Sequence, residues 1–425
     1  MPSAPSSGTS SSSTPGALEG LRVLDFSTVV MGPFATQILG DLGADVIKVE
    51  PPTGDLSRRT HPQVHEGMGV LALNVNRNKR SVALDLKSEA GLEAFLDLVR
   101  TADVLVTNMR PGALTRLGVG YDELAAVNPR LVYARAQGFR SDSDRADHAA
   151  YDEIVQAASG VADLMRRATG TPTYVPTIMA DKVCALTLAY SVLAAVIHQR
   201  ATGEGQEVEV PMTDTMLAFT LVEHLSGHTF EPSRGPIGFN RSMVPDHRAV
   251  ATADGWACIL PYNARNIADF FTAAGRPEVA TDPRFADPGA LATHYGELYA
   301  LVAQVAPERT TAAWQELCAA HSIPFAPVLE LDDAETDPYV VGGGLLDVRE
   351  HPTEGAYRSI GFPVRLSRTP GTVRSDCPQI GGDTEEVLRE IGRSDAQIAA
   401  LIASGAAARP RPVTAPRAAS TPEVR

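Results

Sequence analysis

The chain has 425 residues, 44% apolar and 21% charged, the profile of an ordinary soluble globular protein with room for two or three domains. Its 37 basic against 51 acidic residues give a net charge of −14, which argues against nucleic acid or an anionic membrane as partner but leaves room for a locally bound anion. Four scattered cysteines, Cys184, Cys258, Cys318 and Cys377, form no Cys-x-x-Cys pair, so neither a zinc site of that kind nor a disulfide framework is expected, and a reducing cytoplasm fits best. No apolar run reads as long enough for a membrane span. Residues 1–18 are rich in Ser, Pro, Thr and Gly, without the basic and apolar blocks of a signal peptide, and read as a disordered tail. Residues 396–425 read as mostly disordered too.

In chain order, residues 21–26 predict a buried strand. Gly32-Pro33 opens a helix over 34–42, with Pro33 in the first turn, where its missing N–H costs nothing. Gly43 ends that helix, and 45–50 is the next strand, stopped by Pro51-Pro52. Residues 81–86 are strand-like, and Ser88 caps a helix running to Thr101. Strands at 104–106 and 131–133 flank a short helix at 121–127. Strands joined by helical crossovers imply a parallel, doubly wound sheet. Helices over 153–166 and 181–200 come next, then a turn at 202–206, a strand at 207–211, and a helix capped by Thr213 or Asp214 that runs to His224. The Gly-, Pro- and Arg-rich stretch 227–248 reads as a connector or mobile loop. Residues 250–260, with Asp254-Gly255 in the middle, predict a hairpin. Helices over 263–274, 298–305 and from Thr310 complete a second, smaller α+β domain. Residues 337–392 carry strands of their own and a last helix, 384–391.

Asp181 opens the very apolar stretch 180–190, and Asp152 lies 29 positions before it. A carboxylate that opens a buried helix needs backbone N–H groups if it is to stay charged. That makes Asp181 a candidate nucleophile or base. The first βα turn, 25–33, lacks Gly-x-Gly-x-x-Gly, which disfavours a dinucleotide dehydrogenase. A loop feeding a helix N-terminus beyond a strand end still suits an anionic nucleotide moiety. The basic loops 74–80 and 108–118 lie at strand ends and carry the guanidinium groups that phosphate recognition uses, with a merely solvated surface as the alternative for each.

Six motifs occur together: Val-Leu-Asp-Phe-Ser-x-Val-x-x-Gly-Pro (23–33), Leu-Gly-Ala-Asp-Val-Ile-Lys-Val-Glu (42–50), Asn-Lys-Arg-Ser (78–81), Leu-Asp-Leu-Lys (84–87), Asn-x-Arg-Pro-Gly (108–112) and Gly-Glu-Gly-Gln (203–206). In this order and spacing, over about residues 19–395, the chain resembles the class III CoA-transferase family, which also contains α-methylacyl-CoA racemases. The resemblance implies an α/β fold: a Rossmann-like large domain with a parallel sheet, plus a smaller inserted α+β domain, in an interlocked homodimer. The expected division is a large CoA-binding domain over 19–226, a small domain with its connector over 227–335, and a return to the large domain over 336–395. Asp181 aligns with the family's catalytic aspartate, and Tyr151 and Asp152 fall beside the active site. Val29, Val30, Met31, Leu84, Asn108, Met109 and Arg116 fall where relatives contact coenzyme A. Coenzyme A and acyl-CoA enter as substrates, with no permanently bound cofactor and no metal. The implied partners are an acyl-CoA, a carboxylic acid and a second copy of the chain.

Racemases of this family carry Gly-His-Asp where this chain has Ala150-Tyr151-Asp152. Tyrosine, with an ordinary pKa of about 10, is a poor base near neutral pH, and His148 lies three residues upstream. CoA transfer between an acyl-CoA thioester and a free carboxylic acid is therefore the leading reading. An α-methylacyl-CoA racemase or isomerase is the second, and a non-catalytic CoA-binding protein the third. Where oxalate-handling relatives cover the aspartate with a Gly-rich loop, this chain has 235–243, so formyl or oxalyl specificity is not expected. Pro51 and Ala149 stand where some transferases place basic CoA contacts, and Arg58, Arg59, Lys79 or Arg80 are candidates to compensate. Arg241, His247 and Arg248 are candidates to bind a substrate carboxylate.

Overall fold

The computed structural model describes residues 15–412, which divide into two compact units. Of the described residues, the first holds those up to Val155, Thr177–Met216 and those from Val341 to 412; the second holds Gln156–Pro176 and Leu217–Val340. The second unit therefore begins ten residues before the expected boundary at 227, and it also takes in 156–176.

The first unit is built on a mixed but mainly parallel sheet. Its six parallel strands are β1 (Arg22–Phe26), β2 (Asp45–Glu50), β3 (Lys79–Leu84), β4 (Val104–Thr107), β5 (Val132–Gln137) and β6 (Gln206–Pro211), in the spatial order 3-2-1-4-5-6. Val23, Leu24, Val46, Ile47, Val104, Leu105 and Val106 are buried, as the continuous apolar runs of a sheet covered on both faces require. Helix α1 (Met31–Asp41) comes after β1, and helix α2 (Glu89–Thr101) after β3. The Ser88 hydroxyl caps α2 by accepting the Gly91 N–H at 3.1 Å, and Phe95, Leu98 and Val99 point into the core.

Helix α3 (Met179–Thr202) corrects the expectation about spans: its 24 residues are long and apolar enough to cross a bilayer by length and composition. Its buried side, including Cys184, Ala185, Leu188, Val192 and Val196, packs against α1, β5 and β6, as a core helix does. Other expectations also change. The helix expected over 153–166 is two, Asp152–Ala158 and Val161–Thr169, because Gly160 adopts a left-handed φ of 85° between them. Strand β3 begins at Lys79, so Lys79 and Arg80 belong to the sheet and not to a loop. The tails are shorter than expected: the Leu18 N–H donates to Leu42 O at 2.9 Å. Asp395–Ala403 is a helix with a capping box at Ser394 and Gln397, and Ala407–Ala408 pairs antiparallel with β3. The remainder of both expected tails lies outside the described residues.

The second unit carries a three-stranded antiparallel sheet, Val250–Ala251, Trp256–Ile259 and Phe325–Pro327, whose first two strands are the expected hairpin. Helices Ala264–Ala273, Pro288–Val305 and Thr311–Ala320 close over a core of Phe270, Phe271, Leu298, Val302 and Trp314.

A buried charge network in the first unit sets the geometry of the β1–α1 turn. Asp25, Glu50 and Asp55 are buried together with Lys48, Arg58 and Lys79, so three carboxylates face three cations away from water. Asp25 lies in register beside Lys48 and accepts from Lys79 Nζ at 2.7 Å and from Thr36 Oγ1 at 2.9 Å. Burial opposes the Asp25 charge, but Lys48, Lys79 and the hydrogen bonds from Lys79 and Ser27 outweigh it and hold the carboxyl far below its usual range. Lys79 is the softest member, drawn down by burial to about 8. Arg58 grips Glu50 with both arms of its fork, at 2.7 and 2.6 Å. Removing one partner strands a buried charge, so Asp25→Asn should cost about 3–5 kcal/mol in urea unfolding at pH 7, and the double variant Asp25→Asn/Lys79→Met should cost less than the two singles added. Single losses below about 1 kcal/mol would show that the network does not hold the fold.

Candidate functional site

The turn after β1 is held residue by residue. Ser27 N–H donates to Asp25 Oδ1 at 3.1 Å, and Ser27 O accepts from Lys48 Nζ at 3.0 Å. Thr28 N–H and Thr28 O both bond the Asn108 side-chain amide at 2.8 Å, and Val29 N–H donates to Asp55 Oδ1 at 3.0 Å. These contacts fix Val29 at φ 68°, a left-handed conformation that a β-branched residue adopts only when its surroundings impose it. Gly32 is required next, because a Cβ there would overlap Ser27.

This turn forms one wall of a cavity of about 490 Å³ within the first unit, a size suited to a small-molecule ligand. Val29, Val30 and Met31 line it, as do Leu84 at the end of β3, Asn108 and Met109 after β4, and Tyr151 and Asp181. The structure thus gathers most of the residues singled out in the sequence around one space. Arg116 does not join them: it is exposed on the helix Pro111–Leu117 and does not line the cavity. Asp152 is buried beside Asp181 and is not itself part of the lining. His148 is exposed, its ring edge against Phe139, and also lies outside the lining. Arg241, His247 and Arg248 belong to the second unit, and none of them lines this cavity.

Pro51 and Ala149 do line it, but the residues expected to compensate for their lack of charge do not. Arg58 is committed to Glu50, and Lys79 to Asp25, Pro33 O and Asn76. Arg80 pairs with Asp45 and Glu390, and Arg59 is exposed away from the lining. The basic groups of the cavity wall are Lys87 and Arg110. Both lie in the motifs 84–87 and 108–112, where the denser basic run at 77–80 draws attention away from them.

Asp181 sits in the first turn of α3 and lines the cavity. The backbone N–H groups expected to keep its carboxylate charged are not seen: among the described residues nothing donates a hydrogen bond to it. The Asp181 backbone N–H instead donates to Asp152 Oδ1 at 3.0 Å. Burial first, then repulsion from Asp152 and Glu153, pushes the Asp181 carboxyl up to about 7. Near neutral pH it is therefore divided between acid and carboxylate, in contact with a cavity that can bring it a reaction partner. Among the described residues no group of three or more His, Cys, Asp or Glu side chains is placed to hold a metal ion.

Comparison with known proteins gives a consistent picture. The sequence model of CoA-transferase family III matches residues 18–384. A formyl-CoA:oxalate CoA-transferase from Afipia carboxidovorans is 30% identical, over 92% of this chain and 97% of its own. The β subunit of a succinyl-CoA–L-malate CoA-transferase from Chloroflexus aurantiacus is 34% identical, over 90% and 96%. Among solved structures, a CaiB/BaiF family protein from Brucella suis superposes with a TM-score of 0.75 at 27% identity, covering 89% of this chain and 100% of that one.

The environment of Asp181 makes a stability prediction. A carboxyl near 3.9 in the unfolded chain and near 7 in the folded one binds more protons when folded, so its contribution is fullest below pH 4 and is lost as pH rises to 7. Asp181→Asn should therefore be more stable than wild type by about 2–4 kcal/mol at pH 8, a gap that closes toward pH 4. Chemical denaturation across that range checks it, and a gap independent of pH would contradict the assigned burial.

Proposed function

The chain belongs to CoA-transferase family III and is a CoA-transferase, and from that premise we propose that Asp181 carries CoA between an acyl-CoA thioester and a free carboxylic acid. The observation that carries this reading is the Asp181 carboxyl itself: it lines the cavity, lacks hydrogen-bond donors and is poised near 7. Its carboxylate attacks the thioester carbonyl, giving an acyl-aspartyl anhydride and releasing CoA thiolate. The thiolate attacks the aspartyl carbonyl, giving an aspartyl-CoA thioester and releasing the donor's acid. The acceptor carboxylate then attacks the aspartyl carbonyl, expelling thiolate and forming a second anhydride. Thiolate attacks the acceptor's acyl carbonyl, which yields the new acyl-CoA and restores Asp181. Thioester and anhydride are close in reactivity, so the exchange runs without ATP.

In this reading coenzyme A lies along Val29, Val30, Met31, Leu84, Asn108 and Met109, and its phosphates take Lys87 and Arg110 rather than Arg116. Tyr151 lines the cavity and His148 does not, which favours transfer over a racemase that needs a second base. Arg241 is the second unit's candidate for a substrate carboxylate. Its Nε is held on Tyr299 Oη at 3.0 Å and its guanidinium lies over the Tyr262 and Tyr295 rings, with no acidic partner among the described residues. His247, pushed down by burial and by Arg241, and Arg248, paired with Asp246 at 3.5 Å, fit that role less well. A Rossmann-like large domain with a smaller inserted one is the reading that the 3-2-1-4-5-6 strand order supports. A homodimer is supported by the exposed apolar stripe Leu186, Tyr190 and Ile197 along α3.

The test is an assay of wild type and Asp181→Ala with succinyl-, acetyl- and formyl-CoA against a panel of acids, products read by mass spectrometry. Wild type should exchange CoA, and the variant should fall by roughly 10³-fold or more. Hydroxylamine added during turnover should modify Asp181, and full activity in the variant would end the proposal. Lys87→Met and Arg110→Met should each raise KM for acyl-CoA about tenfold with kcat little changed. Unchanged KM in both would move the phosphates elsewhere.

A further inference from the structure

We propose that Arg241, Tyr262, Tyr295 and Tyr299 form a carboxylate-binding site within the second unit, and that this site makes dicarboxylic acids the preferred acid substrates of the transfer. The substrate class rests on the reading of Asp181 as the group that is acylated.

All four residues belong to the second unit, and its own segments bring them together. The loop that carries Arg241 is anchored on either side of it. Gly238 N–H donates to His224 O at 2.7 Å, Phe239 N–H to His224 Nδ1 at 3.1 Å, and Asn240 Nδ2 to Ala292 O at 3.1 Å. The last of these ties the short helix Asn240–Met243 to the long helix Pro288–Val305. Tyr295 and Tyr299 lie one turn apart on the long helix, their ring centroids separated by 5.9 Å and their planes inclined by 16°. Tyr262 comes from the segment that follows the strand Trp256–Ile259. The guanidinium carbon of Arg241 stands 5.6 Å from the Tyr262 ring centroid and 5.8 Å from that of Tyr295. At such distances a ring face attracts the cation and fixes its plane.

The hydrogen-bond inventory shows what is left over. Arg241 Nε donates to Tyr299 Oη at 3.0 Å, which leaves the donors on Nη1 and Nη2 without an acceptor among the described residues. The Tyr299 hydroxyl is buried, and burial pushes it above its usual range, so it keeps its proton. That proton also lacks an acceptor among the described residues, while the oxygen already accepts from Arg241. The acidic side chains on the same segments have other cations: Asp246 pairs with Arg248 at 3.5 Å, and Glu297 with His294 at 3.1 Å. A half-buried guanidinium bordered by aromatic rings and lacking a counter-ion is set to receive an anion. Its planar fork matches the two coplanar oxygens of a carboxylate, and the Tyr299 hydroxyl adds a further donor beside it. The chemistry of the exchange then narrows the ligand. The carboxylate that reacts loses its charge when it becomes the anhydride on Asp181. An acid that Arg241 holds throughout the exchange must therefore carry a second carboxylate, which a monocarboxylic acid does not have.

Calorimetric titration of the whole protein without CoA tests the site, with succinate as probe, propionate as its one-carboxylate counterpart and inorganic phosphate as a competing anion. Succinate should bind at least about tenfold more tightly than propionate or phosphate. Arg241→Met should weaken succinate by about tenfold or more, and Arg241→Lys, which keeps the charge but not the fork, by about fivefold. Tyr299→Phe, which keeps the ring and removes the hydroxyl, should weaken it by about threefold. These two milder variants decide the matter if the Met variant does not fold. In turnover with acetyl-CoA as donor, the ratio of kcat/KM for succinate to that for propionate should exceed about ten in wild type and fall about tenfold in Arg241→Met. Equal binding of the two acids, succinate binding unchanged in the Arg241 variants, or an unchanged ratio overturns the proposal. Phosphate binding more tightly than succinate would make this a phosphate site and overturn it too. Arg241-dependent succinate binding without CoA transfer to any acid would instead uphold the site and defeat the reading of Asp181.

Discussion

Three carboxylates and three cations buried beneath the first βα turn are the constraint on which the rest of the site depends. A neutral set of this kind is a weak source of net stability, because each charge gives up its water to find its partner. Its contribution is position. Ser27, Thr28 and Val29 could not keep their main-chain groups satisfied in this conformation with backbone partners alone, and Val29 would leave φ 68° if Asp55 released its N–H. Lys48 joins the two halves of the arrangement, since it holds Ser27 O and pairs with Asp55 at 2.9 Å. The strained turn and the sheet are in this sense one object.

The sheet order then decides where the cavity can form. Strand order reverses between β1 and β4, so the segments leaving those strands run to opposite sides and leave a crevice beyond their carboxyl ends. Much of the cavity wall is drawn from the carboxyl ends of β1 to β5 and the segments that leave them, Val29 to Met31, Pro51, Leu84 to Lys87, Asn108 to Arg110, and Gly138, with Tyr151 and Asp181 added from elsewhere. Asn108 closes the gap between the diverging segments by bonding both polar groups of Thr28.

Much of this was legible in the sequence, and the failures are physically instructive. The strands at 22–26, 45–50 and 104–107 and the helix capped by Ser88 were readable because local pattern and tertiary role agree there. The short helices Val70–Val75 and Pro111–Leu117 have too few turns to show a periodicity. The helix Asp395–Ala403 was hidden by an Ala-rich composition that resembles a tail, although its capping residues Ser394 and Gln397 were in plain view. Lys79, Arg80 and Arg58 looked like free cations because their partners, Asp25, Glu390 and Glu50, are brought to them by the fold, in the case of Arg80 from 310 residues away. A charge that looks spare along the chain is no guide to a charge that is spare in space. Lys87 and Arg110 stand at the cavity wall beyond the ends of β3 and β4 with no carboxylate partner among the described residues, although Arg110 also donates to Asp147 O at 3.3 Å.

Asp25 and Asp181 show how far one side-chain type can be divided within a single unit. Asp25 is fully buried and Asp181 half-buried, and burial pushes both toward the protonated form. Asp25 is surrounded by Lys48, Lys79, Ser27 and Thr36, and its charge is secured at the cost of every lone pair it could offer a substrate. Asp181 has its backbone bound and its carboxylate left without donors, with Asp152 adding repulsion in place of a counter-ion. A carboxylate bound on all sides is inert, and one that is desolvated and unpaired has lone pairs available and a basicity raised toward neutral pH. The difference arises from neighbours supplied by other strands and helices, which is why position along the chain could nominate Asp181 but could not give its state of charge.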